Sequence, residues 1–299
     1  SKYYKNIKII HKNFENLGIS KSRNKGIKLC NDTDYLTFID GDDYLKDNFF
    51  RYIFNQSFND DLILFDFDNI LDDKKESVMF YEKDKILTDK IIIDYIYKFL
   101  EKPNEKKLFS TCWAKLYKTE KLFAFKNYFN EKLYICEDGD FIIRFLNNIN
   151  KVKYFKFSMY SHTITKGPKN LNKLTFATNY EIKNQISFLH IVKEIKKYLI
   201  NKGEDFQKFK KLMFHCLGSF VIIYTIRSCI RVTNIKNFLQ VYLFWKKTYN
   251  SRRFKKIFNF YSSKKANGNL ILPLLIRNKM YFLSIIYALL IARKRYIKI

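Results

Sequence analysis

Short apolar runs and amphipathic stretches alternate over the first half of the chain, and helical spacing takes over in the second. Residues 35–39, Tyr-Leu-Thr-Phe-Ile, are apolar, aromatic and β-branched, and Asn31-Asp32 and Asp40-Gly41 bound them. They predict a buried strand that ends in an acidic turn. Residues 62–67 predict a second buried strand, residues 7–10 and 78–81 shorter ones, and residues 152–160 an aromatic one. Between them lie a turn over 13–18 and helices over 20–30, 45–55, 88–101 (capped by Thr88) and 141–146. Strands alternating with helices predict an α/β layer on a parallel or mixed sheet, whose ligands gather at strand carboxyl ends. Asp40, Asp42 and Asp43 stand at such an end.

Residues 171–200, 206–230 and 234–249 each carry apolar positions three to four apart with Lys and Arg between them, which predicts helices. Gly167-Pro168 separates the two patterns. It divides the chain into an α/β domain over 1–166 and a mainly α-helical region over 167–299. The last apolar run, residues 280–292, is shorter than the roughly 20 residues a bilayer span needs. Its flanks, Arg277, Lys279 and Arg293-Lys294-Arg295, suit a helix lying on a membrane surface, and its length suits an ordinary packing helix.

Composition narrows the class. Of 299 residues, 47% are hydrophobic and 18% aromatic, which excludes a disordered chain. Eight Gly and three Pro exclude collagen-like and linker-rich chains. Five Cys without a CxxC pair give neither a zinc module nor a disulfide framework, and they suit a reducing cytoplasm. The opening residues are polar and basic, without the apolar core of a secretory signal, and no Met precedes them; a truncated or processed start is expected.

Charge then divides the chain a second time. Residues 1–165 hold 28 basic and 25 acidic side chains, a difference of +3, while residues 166–299 hold 28 and 4, a difference of +24. The near-neutral half, rich in carboxylates, is the one to search for chemistry. The basic half implies an anionic partner, such as acidic lipid, a phosphorylated substrate or nucleic acid. AT-rich codon usage accounts for many lysines but not for the missing acids.

Three carboxylates within four residues, Asp40-Gly41-Asp42-Asp43, follow the first buried strand. Crowded carboxylates raise each other's pKa unless something positive sits among them, and a hard divalent cation is the usual resolution. The spacing is not that of an EF-hand, which needs Gly sixth and Glu twelfth. An acidic loop feeding the next helix dipole is the plain alternative. A second acidic group, Cys136-Glu137-Asp138-Gly139-Asp140, opens the helical pattern 141–146, with the same alternative. Trp113-Ala114-Lys115-Leu116-Tyr117 and Tyr160-Ser161-His162 carry no reading by themselves.

Taken in order, these blocks resemble bacterial family 2 glycosyltransferases of the GT-A fold, a Rossmann-related mixed sheet with helices. Ser22-Arg23-Asn24-Lys25-Gly26 is similar to the family's A-R-N-x-G, and Phe38 to Asp43 to F-x-D-x-D-D. Trp113 to Tyr117 and Glu137 to Phe141 are similar to W-x-K-L-Y/F and E-D-x-x-F. The likeness covers roughly residues 5–165. It implies a nucleotide-sugar donor, expected to be a UDP-sugar, and Mg²⁺ or Mn²⁺ held at the DxD positions Asp42 and Asp40, with Asp40 also approaching the ribose and Asp43 in support. It implies Asp138 as the general base of a single inverting displacement, with Glu137 beside it and Asp140 as an alternative. Arg23 and His162 resemble positions near the donor's base or diphosphate, and Trp113 and Lys115 positions in the cleft between donor and acceptor.

The family's opening P-x-Y-N turn and D-D-x-S-x-D strand end do not occur in this sequence, so weak binding of uridine nucleotides by these 299 residues is expected. The implied acceptor is a cell-surface glycan or a lipid-linked one, made at the inner face of the plasma membrane, where the basic helical half meets anionic lipid. Two rivals stand beside this reading. One is a nucleic-acid-binding protein built on the basic aromatic half, although no helix-turn-helix, finger or RNP block is present and nucleic acid is not the expected partner. The other is a catalytically inactive fragment serving as a scaffold.

Overall fold

The computed structural model describes residues 17–71, 74–103, 105, 108–133, 135–164, 187–230, 232–264 and 269–296. The expected strand over 7–10, most of the turn over 13–18 and the first half of the expected helix over 171–200 lie outside these. The chain divides into two compact units: an α/β unit from the residues up to Lys90, Leu108–Lys132 and Glu137–Ile164, and a helical unit from Ile91–Lys107, Leu133–Cys136 and the residues after Ile164.

Seven strands form one sheet in the α/β unit: β1 (Tyr35–Leu36), β2 (Tyr44–Leu45), β3 (Leu62–Leu71), β4 (Lys74–Val78), β5 (Lys85–Ile86), β6 (Lys115–Lys118) and β7 (Val152–Thr163). The order is β1-β6-β3-β7-β2, with β4 also on β3 and β5 also on β7. Only β3 and β7 pair in parallel, so the sheet is mixed. β3 is buried from Leu62 to Asn69, which is why it reads as an unbroken apolar run and not as an alternating one. Its two aspartates are each satisfied inside the unit: Asp66 accepts from Tyr154 Oη at 2.7 Å, and Asp68 pairs with Lys46 and Lys75.

The segment over 35–39 keeps its strand only at Tyr35–Leu36, and Leu45, expected to begin a helix, joins Tyr44 in a strand instead; helix α2 is confined to Phe49–Phe54. Sheet order supplies the reason. β1 and β2 lie at opposite ends of the order, so residues 37–43 must cross the sheet past four strand intervals of about 4.8 Å each. Eight steps of at most about 3.5 Å cover that span, which a helical segment of the same length, rising about 1.5 Å per residue, would not, and the crossing leaves these residues outside both ladders. β1 runs in the same direction as β3 and β7, so the crossing passes over their carboxyl ends.

Helix α1 (Ile19–Lys28) buries Ser20, Asn24 and Ile27, a single face at helical spacing. Asn24 accepts from Phe129 N at 2.7 Å and donates to Phe129 O at 3.0 Å, which fixes the helix against that loop. α4 (Thr119–Ala124) follows β6, and α5 (Glu137–Leu146) inserts Phe141, Ile142, Phe145 and Leu146 into the core. Phe141 stacks on Phe129 at 4.1 Å, and Phe38 meets both rings edge-on beneath the acidic crossing.

The helical unit contains most of α3 (Asp89–Glu101) with α6 (Phe188–Asn201), α7 (Phe206–Ser228), α8 (Ile235–Asn250), α9 (Arg252–Phe258), α10 (Ile271–Arg277) and α11 (Tyr281–Tyr296). α7 is the one described helix long and apolar enough to cross a membrane, yet 72% of its most apolar window is buried within the protein. It is the centre of the bundle: α6, α9 and α11 pack around it, Phe188 stacks on Phe220 and Tyr224, and His215 bridges Glu101 O and Ser262 N. Gly218 is required there, since a Cβ would stand 2.8 Å from that of Tyr261.

Candidate active site

Arg23 projects from α1 one position before the inward-facing Asn24, and its guanidinium joins the two acidic blocks. Nη2 donates to Asp40 Oδ1 at 2.7 Å, Nη1 to Asp138 Oδ1 at 2.6 Å, and Glu137 Oε1 stands 3.5 Å from Nη1. The plane of the group lies over Phe129 at 5.2 Å. Burial alone lowers the arginine's pKa; Asp138, Cys112 and Asp40 reverse this and raise it above its ordinary value. Asp138 is held at its other oxygen too, accepting from Cys112 N at 3.1 Å.

The carboxylates around Arg23 are not equivalent. Burial raises Asp40 against the lowering effect of Arg23, and burial followed by the charge of Asp138 raises Glu137 well above the carboxylate range. Crowding is relieved by the arginine in the middle, and burial together with Asp138 favours the protonated form of Glu137. All three acids of α5 lie in its first turn, at the positive end of the helix dipole. Asp140 departs from the group: it is 2% exposed and turned into the core, where Arg144 Nε holds it at 2.9 Å and ties it to Asn127 and Tyr128.

The crossing loop is fixed at its far end by Asp43, which accepts from Tyr160 Oη at 2.6 Å and from Thr163 N at 2.8 Å. Tyr160 Oη in turn accepts from Asp40 N at 3.0 Å, so one phenol anchors two of the three aspartates. Asp42 is left exposed, with no hydrogen bond to any described residue. Trp113 is buried, lying flat on Tyr160 at 4.7 Å and 4° and beside His162 at 5.1 Å. His162 Nδ1 meets Asn69 Oδ1 at 3.0 Å.

Lys115 is 2% exposed and turns back into its own loop, donating to Thr111 O at 2.6 Å, Thr111 Oγ1 at 3.3 Å and Trp113 O at 3.1 Å. Burial pulls its pKa down to about 8. Its three hydrogens hold the turn that presents Trp113, and Ala114 within that turn has a φ of 55°, a left-handed conformation that is uncommon outside glycine.

Arg23, Asp40, Glu137 and Asp138 thus meet directly, while Trp113 and His162 join them through Tyr160. Asp42 sits between on the open side of the loop, and Lys115 and Asp140 face inward. Tyr160 has no role in the sequence reading beyond opening the block with His162; its position two residues before His162 on a strand, hence on the same face, is the signal that identifies it.

Among the described residues no group of three His, Cys, Asp or Glu gathers as a ready metal cage. One exposed carboxylate with a half-buried neighbour does fit an ion of the Mg²⁺ kind, which takes one or two protein carboxylates and completes its shell with water and substrate phosphates.

A mixed sheet crossed at its carboxyl edge by such an acidic loop is the architecture of GT-A glycosyltransferases. Residues 1–132 match the family model described as Glycosyl transferase family 2. Residues 1–349 of S. aureus TarS, crystallised in complex with UDP-GlcNAc, have a similar fold, with a TM-score of 0.54 at 17% identity over 93% of this chain and 72% of that one. The same fragment in complex with UDP gives 0.51 at 15% identity over the same shares. No curated protein sequence matches the chain.

Proposed function

We propose that the protein transfers a sugar from a UDP-sugar to an acceptor hydroxyl with inversion at the anomeric carbon. The observation that carries this reading is the single guanidinium of Arg23 shared by Asp40 and Asp138, which brings the loop suited to the donor and the acid suited to the acceptor within one side chain of each other. The UDP-GlcNAc and UDP bound to the similarly folded TarS fragment support a uridine donor.

Asp138 takes the proton of the acceptor hydroxyl as that oxygen attacks the anomeric carbon. The bond from that carbon to the nucleotide breaks and its electron pair leaves with the diphosphate. The proton passes from Asp138 to solvent. Arg23 and the Cys112 amide hold Asp138 oriented, and Glu137 beside it is raised in pKa by burial and by Asp138. The inward pairing of Asp140 with Arg144 favours Asp138 over it as the base. Asp42, with Asp40 beside it, would hold Mg²⁺ or Mn²⁺, which when bound offsets negative charge on the diphosphate. The acceptor class is a cell-surface glycan or a lipid-linked glycan.

The test is a panel of UDP-sugars with a lipid-linked or oligosaccharide acceptor, with Mn²⁺ present and then chelated. The expected result is a β-linked product from an α-linked donor, with turnover lost on chelation. A product that keeps the donor's configuration would overturn the displacement, and turnover indifferent to chelation would overturn the metal's part in it.

A further inference from the structure

We infer that α8 and α11 of the helical unit form one surface that docks on an anionic lipid bilayer without crossing it. On α8, Ile235, Leu239 and Leu243 recur every fourth residue and are 79%, 46% and 60% exposed. On α11, Phe282, Leu283 and Leu290 are 50%, 45% and 58% exposed. The buried faces of both helices are already filled, by Val241, Trp245 and Tyr249 on α8 and by Tyr281, Ser284, Ile285, Ala288 and Ala292 on α11. These outward residues are therefore not a second contribution to the core.

The two stripes join. Phe282 packs edge-on against Phe238 and Tyr242 of α8, at 5.5 and 5.6 Å, so the apolar row of one helix passes to the other without a polar break at the seam. Exposed Lys236, Lys246 and Lys247 border it on α8, and Arg293 and Lys294 on α11. Lys246 lies over the ring of Tyr242 at 5.5 Å, its stem along the apolar surface.

Charge decides the occupant. From Phe206 to the last residue the sequence contains 20 Lys and Arg and no Asp or Glu, so these cations have no acidic side chain within that stretch to pair with. A second copy would set two such faces against each other and be repelled. Nucleic acid would satisfy the cations but gain little from exposed Ile and Leu, which neither stack nor accept hydrogen bonds. A bilayer with acidic headgroups takes both: aliphatic side chains enter the acyl boundary while lysines stay at the phosphates.

The test is co-sedimentation of the whole chain with phosphatidylcholine vesicles, with and without phosphatidylglycerol. Binding is expected to need the acidic lipid, and each Lys246→Gln or Lys247→Gln change to weaken it by about fivefold. Leu243→Gln with Leu290→Gln is expected to weaken it by more than about tenfold while circular dichroism and thermal midpoint stay unchanged, since both side chains are exposed. Equal binding to both vesicles, binding untouched by the leucine changes, or an oligonucleotide competing as well as the vesicles do would overturn the assignment. Vesicle binding is read separately from UDP-sugar turnover, so either can fail alone.

Discussion

Asp40 and Asp138, 98 positions apart in sequence, are held by the two Nη atoms of one arginine at 2.7 and 2.6 Å. Replacing Arg23 with Met leaves two partly buried carboxylates facing each other without a counter-charge, and a destabilisation of about 3–5 kcal/mol is expected in urea unfolding. Arg23→Lys keeps a charge but reaches only one partner well, so its loss is expected to be smaller and its turnover still reduced. A Met variant as stable as wild type would show that the bridge is not a net attraction.

Asp138→Asn is expected to lower turnover by roughly 10²–10⁴-fold, the usual contribution of a positioned base, with UDP binding retained in calorimetry. Asp140→Asn provides the contrast. It breaks a buried pair with Arg144, so it should lower the thermal midpoint and leave turnover per folded molecule nearly intact. The opposite pattern would exchange the two roles.

Glu137 gives a pH signature. Its folded-state pKa lies above its unfolded one because of burial and then Asp138, so the protonated form is favoured by folding. The stability this contributes is present below the unfolded value, near 4.3, and is lost as pH rises through the raised value. Glu137→Gln mimics the protonated acid at every pH. Thermal midpoints of the variant are therefore expected to fall less than those of wild type from mildly acidic to mildly alkaline buffer; parallel curves would remove Glu137 as the cause.

Tyr160→Phe keeps the ring under Trp113 and removes the hydroxyl that holds Asp43 and the Asp40 amide. The loss of these bonds, about 1–3 kcal/mol in total, falls on the loop that carries Asp42. Weaker Mn²⁺-dependent UDP binding is expected, with the Trp113 fluorescence environment little changed.

The core strand of the α/β unit and both acidic blocks were legible because each has a local signature: an unbroken apolar run for Leu62 to Phe67, and clustered carboxylates after a strand or at a helix start. What the sequence hid was decided at long range. Nothing local in residues 37–43 says that they must cross a whole sheet, so the apolar pattern extends the strand to residue 39 and starts the helix at Leu45. The resemblance puts Lys115 in the cleft, whereas the turn at Ala114 directs its ammonium to Thr111 and Trp113. Asp138 and Asp140 are indistinguishable by type and differ only in which arginine each meets.

The antiparallel register sets Tyr44 opposite Ser161 and Leu45 opposite Tyr160. A one-residue slip of that register would turn every side chain of the short ladder to the other face of the sheet and take Asp43 away from the Thr163 amide. The two-residue pairing of β2 with β7 is therefore the anchor that keeps the acidic loop in step with the sheet edge.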